Sequence, residues 1–148
     1  MSMASLLILL VEDDLGHAEL IQRNLKRSGF ENHVVHLTDG QQALDYILCE
    51  GTYADRKPNG PMLLLLDIKM PRVDGVEVLR RLKSDEKTEK IPIIVLTTTD
   101  DPREIERCYE LGCSVYITKP LEYEAFVEAV RRLGLFLQVV SVVREDDL

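Results

Sequence analysis

Five short apolar segments are spaced along the chain at fairly even intervals. They are residues 6–11 (LLILLV), 33–37 (HVVHL), 62–66 (MLLLL), 91–96 (IPIIVL) and 114–118 (SVYIT). Runs of this length, bounded by polar and turn-forming residues, predict β-strands. The first, third and fourth runs are almost continuously apolar, which is typical of central strands covered on both faces. The more polar second run suits an edge strand.

Between these segments, apolar residues recur every three or four positions. This spacing predicts amphipathic helices over residues 15–27, 40–49, 75–83, 102–111 and 121–138. Because strands and helices alternate strictly, the economical fold is α/β, a parallel sheet with helices on both faces. The connection over residues 50–61 (EGTYADRKPNGP) is the longest, and we expect it to be the most mobile.

Length, charge and cysteine content narrow the class of protein. The 148 residues predict one domain, and the net charge of −8 argues against nucleic-acid binding through attraction to phosphates. Three cysteines without a paired spacing favour reduced thiols in a cytosol. The first apolar run lacks the basic flank and cleavage site of a signal peptide and is too short to span a membrane. We therefore expect a cytoplasmic protein without membrane contact.

Polar residues with chemical potential follow the first, third, fourth and fifth apolar runs. They are Glu12, Asp13 and Asp14 after the first, Asp67 and Lys69 after the third, Thr97 after the fourth and Lys119 after the fifth. Because the carboxyl ends of parallel strands meet at one edge, where ligands bind, these side chains are predicted to share a site.

The residue types at this edge suit phosphoryl chemistry. Clustered carboxylates repel one another unless a cation intervenes, and a few open oxygen ligands suit Mg²⁺. Beside such an ion, an aspartate, a hydroxyl and a lysine are the parts of an acyl-phosphate site. Each residue also has an ordinary structural interpretation: Asp14 could cap a helix, Thr97 suits a strand end and Lys119 could be solvated.

The motifs LLVEDD, LLLLDIKMPRVDG, IVLTTT and YITKP, in this order and spacing, resemble the receiver domain of two-component response regulators. The resemblance covers residues 6–138 and implies a flavodoxin-like, doubly wound sheet of five strands in the order 2-1-3-4-5, with five helices. It also implies Mg²⁺ as the cofactor and a sensor histidine kinase as the partner.

The resemblance assigns a role to each residue of the predicted site. Asp67 is the phosphoacceptor; Glu12, Asp13, Asp67 and the backbone carbonyl of Lys69 bind the metal; Thr97 and Lys119 contact phosphoryl oxygens; Tyr116 is the switch aromatic. Tyr116 is expected to turn inward when the Thr97 hydroxyl moves toward the phosphate. The bond before Pro120 is one at which the family often has a cis peptide.

The resemblance also bears on output. Residues 1–148 are predicted to form a single receiver domain without an effector domain, acting through partner binding, dimerisation or onward phosphotransfer. In its C-terminal extension (133–148), the apolar segment 133–143 (LGLFLQVVSVV) favours a two-fold homodimer; the alternative is a longer final helix packed on the core. The loop 50–61, LTTT and RRLGLF resemble stand-alone receivers that partner phytochrome-type histidine kinases.

Three other classes of protein have part of this pattern. Phosphatases of the haloacid dehalogenase type place a second aspartate two residues after the nucleophile, where this chain has Lys69. A flavin-binding module would need a Ser/Thr/Gly-rich phosphate loop after the first strand. A receiver-like module that binds partners without phosphorylation is disfavoured because the acceptor, the acids, the threonine and the lysine are all present. We therefore expect a signalling module and not an enzyme.

Overall fold

A computed structural model describes residues 6–27, 29, 33–58 and 60–137. The strands are β1 (Leu7–Val11), β2 (Val34–Leu37), β3 (Met62–Leu66), β4 (Ile93–Thr97) and β5 (Val115–Thr118). The α-helices are α1 (Leu15–Arg27), α2 (Gly40–Leu48), α3 (Gly75–Lys83), α4 (Pro102–Leu111) and α5 (Tyr123–Leu137). Strand and helix therefore alternate along the described chain, as the apolar pattern predicts.

The strands form one parallel sheet in the order β2-β1-β3-β4-β5. This order confirms the α/β, flavodoxin-like fold and places the more polar second segment at an edge. The connections reverse direction between β1 and β3, because β2 lies on one side of β1 and all later strands lie on the other. Such a reversal opens a crevice beyond the carboxyl ends of the central strands.

Side chains of β3 alternate between two apolar layers. Leu64 and Leu66 pack with residues of α2 and α3, whereas Leu63 and Leu65 pack with residues of α1 and α5. All five residues of β3 are buried. Burial of one leucine side chain contributes about 2 kcal/mol, so β3 is a firm mount for the residue that follows it.

The long connection after α2 contains a short helix and contacts α2. Gly51–Tyr53 forms a short 3₁₀ helix. The Arg56 Nε donates to the Tyr46 carbonyl over 2.7 Å, and the guanidinium carbon lies 4.1 Å from the centre of the Tyr46 ring. Part of the connection is therefore held against α2, and the mobility of the whole connection stays a prediction.

The C-terminal helix α5 has both buried and exposed apolar residues. It begins at Tyr123, two residues later than predicted. Leu133 and Leu137 are buried, whereas Leu135 and Phe136 are 50% and 49% exposed. Residues 138–148, and with them most of the predicted dimer segment, lie outside the described residues. In the described ranges, no helix combines the length and the apolar character needed to cross a membrane.

Candidate phosphoryl-transfer and metal site

Backbone hydrogen bonds hold the strand ends together at the candidate site. The Asp67 N–H donates to the Val11 carbonyl over 3.0 Å, which fixes the end of β3 against the end of β1. The Lys119 N–H donates to the Thr97 carbonyl over 2.6 Å, which does the same for β5 and β4. The predicted site residues therefore leave the sheet from one continuous edge.

Three carboxylates lie close together at this edge. Oxygen atoms of Glu12, Asp13 and Asp67 all lie within 4.8 Å of one another. Glu12 and Asp67 are only 1% and 8% exposed, whereas Asp13 is exposed. This donor set of hard oxygens, open to solvent on one side, fits a Mg²⁺ ion. The structure thus brings together the three acidic side chains that the sequence nominates as metal ligands.

The Lys119 ammonium lies beside these carboxylates and is 2% exposed. Its Nζ contacts the Glu12 carboxylate and lies 3.4 Å from Asp67 Oδ2. A third partner is His17, whose Nδ1 is 3.1 Å from the same Nζ. Sequence reasoning missed His17, because a single histidine in the first turn of a helix gives no signal of its own. The signal could have come only from its place beside the acidic motif.

One ammonium between two carboxyl groups gives them different proton affinities. Burial, reinforced by the neighbouring Asp67, raises the pKa of Glu12 to about 8. Burial also acts to raise the pKa of Asp67, but the neighbouring Glu12 and Thr97 side chains and the Lys119 charge outweigh it and hold this pKa below its usual value. Of the two groups, Glu12 is therefore the one that retains a proton more readily, and Asp67 is the one that ionises more readily.

Several buried polar atoms at the site have no hydrogen-bond partner among the described residues. They are Asp67 Oδ1, Thr97 Oγ1 and Thr99 Oγ1. Buried polar atoms in proteins nearly always have a partner, so these atoms mark capacity for a ligand. The free acceptor oxygen of Asp67 and the Thr97 hydroxyl lie at the same end of the sheet as the Lys119 ammonium. This combination suits a ligand that has both a cation and hydrogen-bond acceptor oxygens.

The loop after β3 borders a cleft of about 640 Å³ beside the carboxylates. Its lining includes Asp13, Lys69, Asp74 and Thr99. Asp74 also caps α3, since its Oδ1 accepts from the Glu77 N–H over 2.9 Å. Lys69 thus lies in the expected neighbourhood, and its carbonyl as a metal ligand stays a prediction.

Two contacts anchor this loop. A Cβ added to Gly75 would lie 2.3 Å from the Asp67 carbonyl oxygen and 2.6 Å from Ile68 Cα, so only glycine allows this close approach. Arg72 adopts a left-handed φ of 65°, and its Nη2 donates to Asp39 Oδ1 over 3.2 Å. The loop is therefore tied to α3 and to the start of α2.

Tyr116 packs against the core layer that includes α2 and α3. Its hydroxyl donates to the Thr99 carbonyl over 2.6 Å, and its N–H donates to the Tyr109 hydroxyl over 3.0 Å. Burial raises the pKa of the Tyr116 hydroxyl, so this group is a neutral donor.

The described residues contain no cis peptide bond, and the bond between Lys119 and Pro120 is trans, unlike the isomer often found in the family.

The site and fold have clear relatives. A sequence model described as the response regulator receiver domain matches residues 8–131. The response regulator Rcp1 of Synechocystis sp. is 34% identical over 136 residues, which cover 91% of this chain and 91% of Rcp1. The Mn²⁺-bound form of Rcp1 has a similar structure, with a TM-score of 0.85 and 31% identity, covering 93% of this chain and 98% of that one.

Two further solved structures are similar over nearly their whole length. A response regulator receiver domain from Rhodospirillum rubrum has a TM-score of 0.84 and 46% identity, covering 93% of this chain and 96% of that one. The phosphorylated cyanobacterial phytochrome response regulator RcpA has a TM-score of 0.85 and 34% identity, with coverages of 95% and 99%. The resemblance first noted in the motifs therefore extends to the complete described fold.

Proposed function

We propose a function for this chain, which belongs to the response regulator receiver domains of two-component signalling because the model of that family matches residues 8–131. Asp67 accepts a phosphoryl group from a sensor histidine kinase in a Mg²⁺-dependent reaction, and the modified domain signals through contacts with other proteins. One observation carries this proposal: the ionised Asp67 lies beside one buried ammonium, with an orphaned acceptor of its own.

Asp67 supplies the nucleophile. Its buried Oδ1 has no hydrogen-bond partner in the described part of the chain, so its lone pairs are available to attack phosphorus. A new O–P bond forms as the bond from phosphorus to the phosphohistidine nitrogen of the kinase breaks. The leaving imidazole keeps the electron pair of that bond and takes up a proton.

Neighbouring groups offset the charge of the transferred phosphoryl. The Lys119 ammonium, 3.4 Å from Asp67 Oδ2, can pair with one phosphoryl oxygen, and the partnerless Thr97 hydroxyl can donate to another. Mg²⁺ would be held by Glu12, Asp13, Asp67 and the Lys69 carbonyl. When bound, this ion supplies further charge neutralisation.

Similar proteins support both parts of the proposal. Rcp1 has been solved with bound Mn²⁺, and RcpA, a phytochrome response regulator, has been solved in a phosphorylated form. We infer that the donor for this chain is a phytochrome-type histidine kinase. Lys69 and Thr99 line the cleft beside the carboxylates, and we expect them to influence how long the phosphoryl group persists.

Intact-mass spectrometry tests the acceptor directly. The protein is incubated with acetyl phosphate and Mg²⁺, with parallel samples of Asp67→Asn and of wild type in EDTA. We expect one added phosphoryl group in the wild type with Mg²⁺ and none in the other two samples. An unmodified wild type would overturn the proposal and favour a receiver-like module that binds partners without phosphorylation.

The proposed switch lies near β4 and β5. Phosphorylation adds negative charge and draws the Thr97 hydroxyl toward the site, and this movement of β4 reaches the Thr99 carbonyl that accepts from the Tyr116 hydroxyl. We expect residues 98–123 to respond most. Backbone amide NMR with beryllofluoride and Mg²⁺ measures this, and shifts spread evenly over the protein would contradict a localised switch.

The exposed apolar part of α5 is the proposed homodimer contact. Leu135 and Phe136 are half exposed, and the apolar sequence continues through residue 143. Light scattering of wild type and of Leu135→Asp tests this assignment, with Arg81→Asp on the exposed face of α3 as a charge control. We expect a dimer that only the Leu135 variant dissociates; a monomeric wild type at micromolar concentration would overturn it.

A further inference from the structure

We propose that His17 is a positioning residue of the phosphoryl-transfer site. It holds the Lys119 ammonium in place by accepting a hydrogen bond from one of its three N–H groups. This inference rests on the proposed function of Asp67. It extends the site from the strand ends to the first turn of α1, a part of the chain that the acidic motif does not include.

The donors and acceptors around Lys119 define the role of His17. An ammonium has three N–H donors and no acceptor. Two of its neighbours are the carboxylates of Glu12 and Asp67, and the third is His17 Nδ1 at 3.1 Å. Because the ammonium can only donate, His17 Nδ1 takes part in this hydrogen bond as the acceptor.

Other contacts fix the position of His17 independently of Lys119. Its backbone N–H donates to Asp14 Oδ1 over 3.0 Å at the start of α1. Its ring lies against Phe126 of α5, with the ring centres 5.2 Å apart and the planes tilted by 33°. Asp14 Oδ2 is 3.7 Å from Nδ1, which is beyond hydrogen-bond distance. The imidazole is thus held with its lone pair toward the lysine.

This arrangement matters because Lys119 has competing attractions. Without His17, the ammonium would pair with the carboxyl groups of Glu12 and Asp67 alone. A third acceptor on the α1 side fixes the direction of all three N–H bonds at once. Less reorientation is then needed when phosphoryl oxygens arrive at Asp67, which lowers the barrier to transfer.

Three variants separate an acceptor from a mere spacer at this position. His17→Phe keeps a ring against Phe126 but removes the acceptor, and His17→Asn replaces Nδ1 with a carbonyl oxygen at the same distance from the backbone. His17→Leu provides a second apolar variant should the phenylalanine disturb folding. The rate of phosphorylation by acetyl phosphate at saturating Mg²⁺ is measured for each, with urea unfolding to compare stabilities.

We expect both apolar variants to lose about tenfold in the maximal rate, the scale of one hydrogen bond from a charged donor, while the concentration of acetyl phosphate at half-maximal rate stays unchanged. His17→Asn should recover most of the rate. A wild-type rate in His17→Phe, or an equal loss in His17→Asn at equal stability, would overturn the role of His17. Failure of the wild type itself to be phosphorylated would instead overturn the proposed function of Asp67.

Discussion

Replacing Lys119 with methionine tests the charge balance at the centre of the site. Methionine keeps the length and most of the apolar stem of lysine, and it removes the ammonium from between Glu12 and Asp67. The lysine and glutamate side chains are each 1% exposed, so solvent cannot replace the lost partner. The variant therefore leaves two carboxyl groups to share one buried space with no cation.

The size of the effect depends on pH in a way that identifies the protonated group. The pKa of Glu12 is raised from an unfolded value of 4.5 to about 8, so between these values the native state holds one proton more than the unfolded state. Stability consequently falls as pH rises through this window. Wild type and Lys119→Met share this slope, and the difference between their free energies of unfolding should stay constant there.

Above about pH 8 the two proteins should diverge. In the wild type Glu12 has then lost its proton, so its titration no longer lowers the free energy of unfolding. In Lys119→Met, the absent ammonium raises the pKa of Glu12 further, and the decline continues. The difference should then widen by about 1.4 kcal/mol per pH unit, starting from the loss of about 2 kcal/mol expected for one charged hydrogen bond.

Urea unfolding followed by circular dichroism, in EDTA and at several pH values from about 6.5 to 9.5, measures this difference. Lys69→Met is the matched control, because Lys69 lies exposed at the same edge and should show little loss at any pH. A difference that remains constant from pH 6.5 to 9.5 would refute the assignment of the proton to Glu12. A loss of similar size in Lys69→Met would show that the general charge of the edge, and not the buried ammonium, is responsible.

Three further predictions concern the surroundings of the nucleophile. Gly75→Ala should destabilise the fold by about 2 kcal/mol and weaken Mg²⁺ binding, because its Cβ would lie 2.3 Å from the Asp67 carbonyl oxygen; urea unfolding and Mg²⁺ titration check this, and unchanged affinity would count against a rigid loop. Mg²⁺ affinity should rise with pH up to about 8, since Glu12 must release its proton; calorimetry in buffers of different ionisation heat should detect that proton, and its absence would contradict the raised pKa. Thr97→Val should slow phosphorylation, because it removes the buried hydroxyl proposed to donate to a phosphoryl oxygen; the rate with acetyl phosphate measures this, and a wild-type rate would contradict that role.

The fold, and the site at the carboxyl ends of the strands, were predictable because both follow from the periodic pattern of apolar residues. The run Met62–Leu66 is apolar without interruption and ends at Asp67, and the structure has this strand with the predicted bounds. β4 is shifted instead, beginning at Ile93 rather than Ile91, because Pro92 lacks the N–H that a central strand needs. Strand ends are thus read from composition, and small shifts arise where one residue cannot join the ladder.

Contacts between distant elements could not be predicted in the same way. His17 and Lys119 are 102 positions apart, and their meeting depends on how α1 lies against the end of β5. The pair formed by Arg72 and Asp39 also depends on a left-handed backbone at Arg72, which is unusual for a residue with a side chain. The type of a side chain indicates which interactions it can make. These two pairs depend on the three-dimensional path of the chain.

Protonation of Glu12 affects metal binding, the charge of Asp67 and the contacts of Lys119 together. Without a metal, one ammonium can offset only one carboxylate charge fully, and the raised pKa of Glu12 beside the lowered pKa of Asp67 reflects this. A divalent cation would favour the loss of that proton and let both carboxylates bind as anions. The Lys119 ammonium would then be less committed to Glu12 and freer to pair with charge that arrives on Asp67. Metal binding and phosphoryl acceptance would therefore reinforce each other through the shared lysine, which His17 keeps directed toward the site.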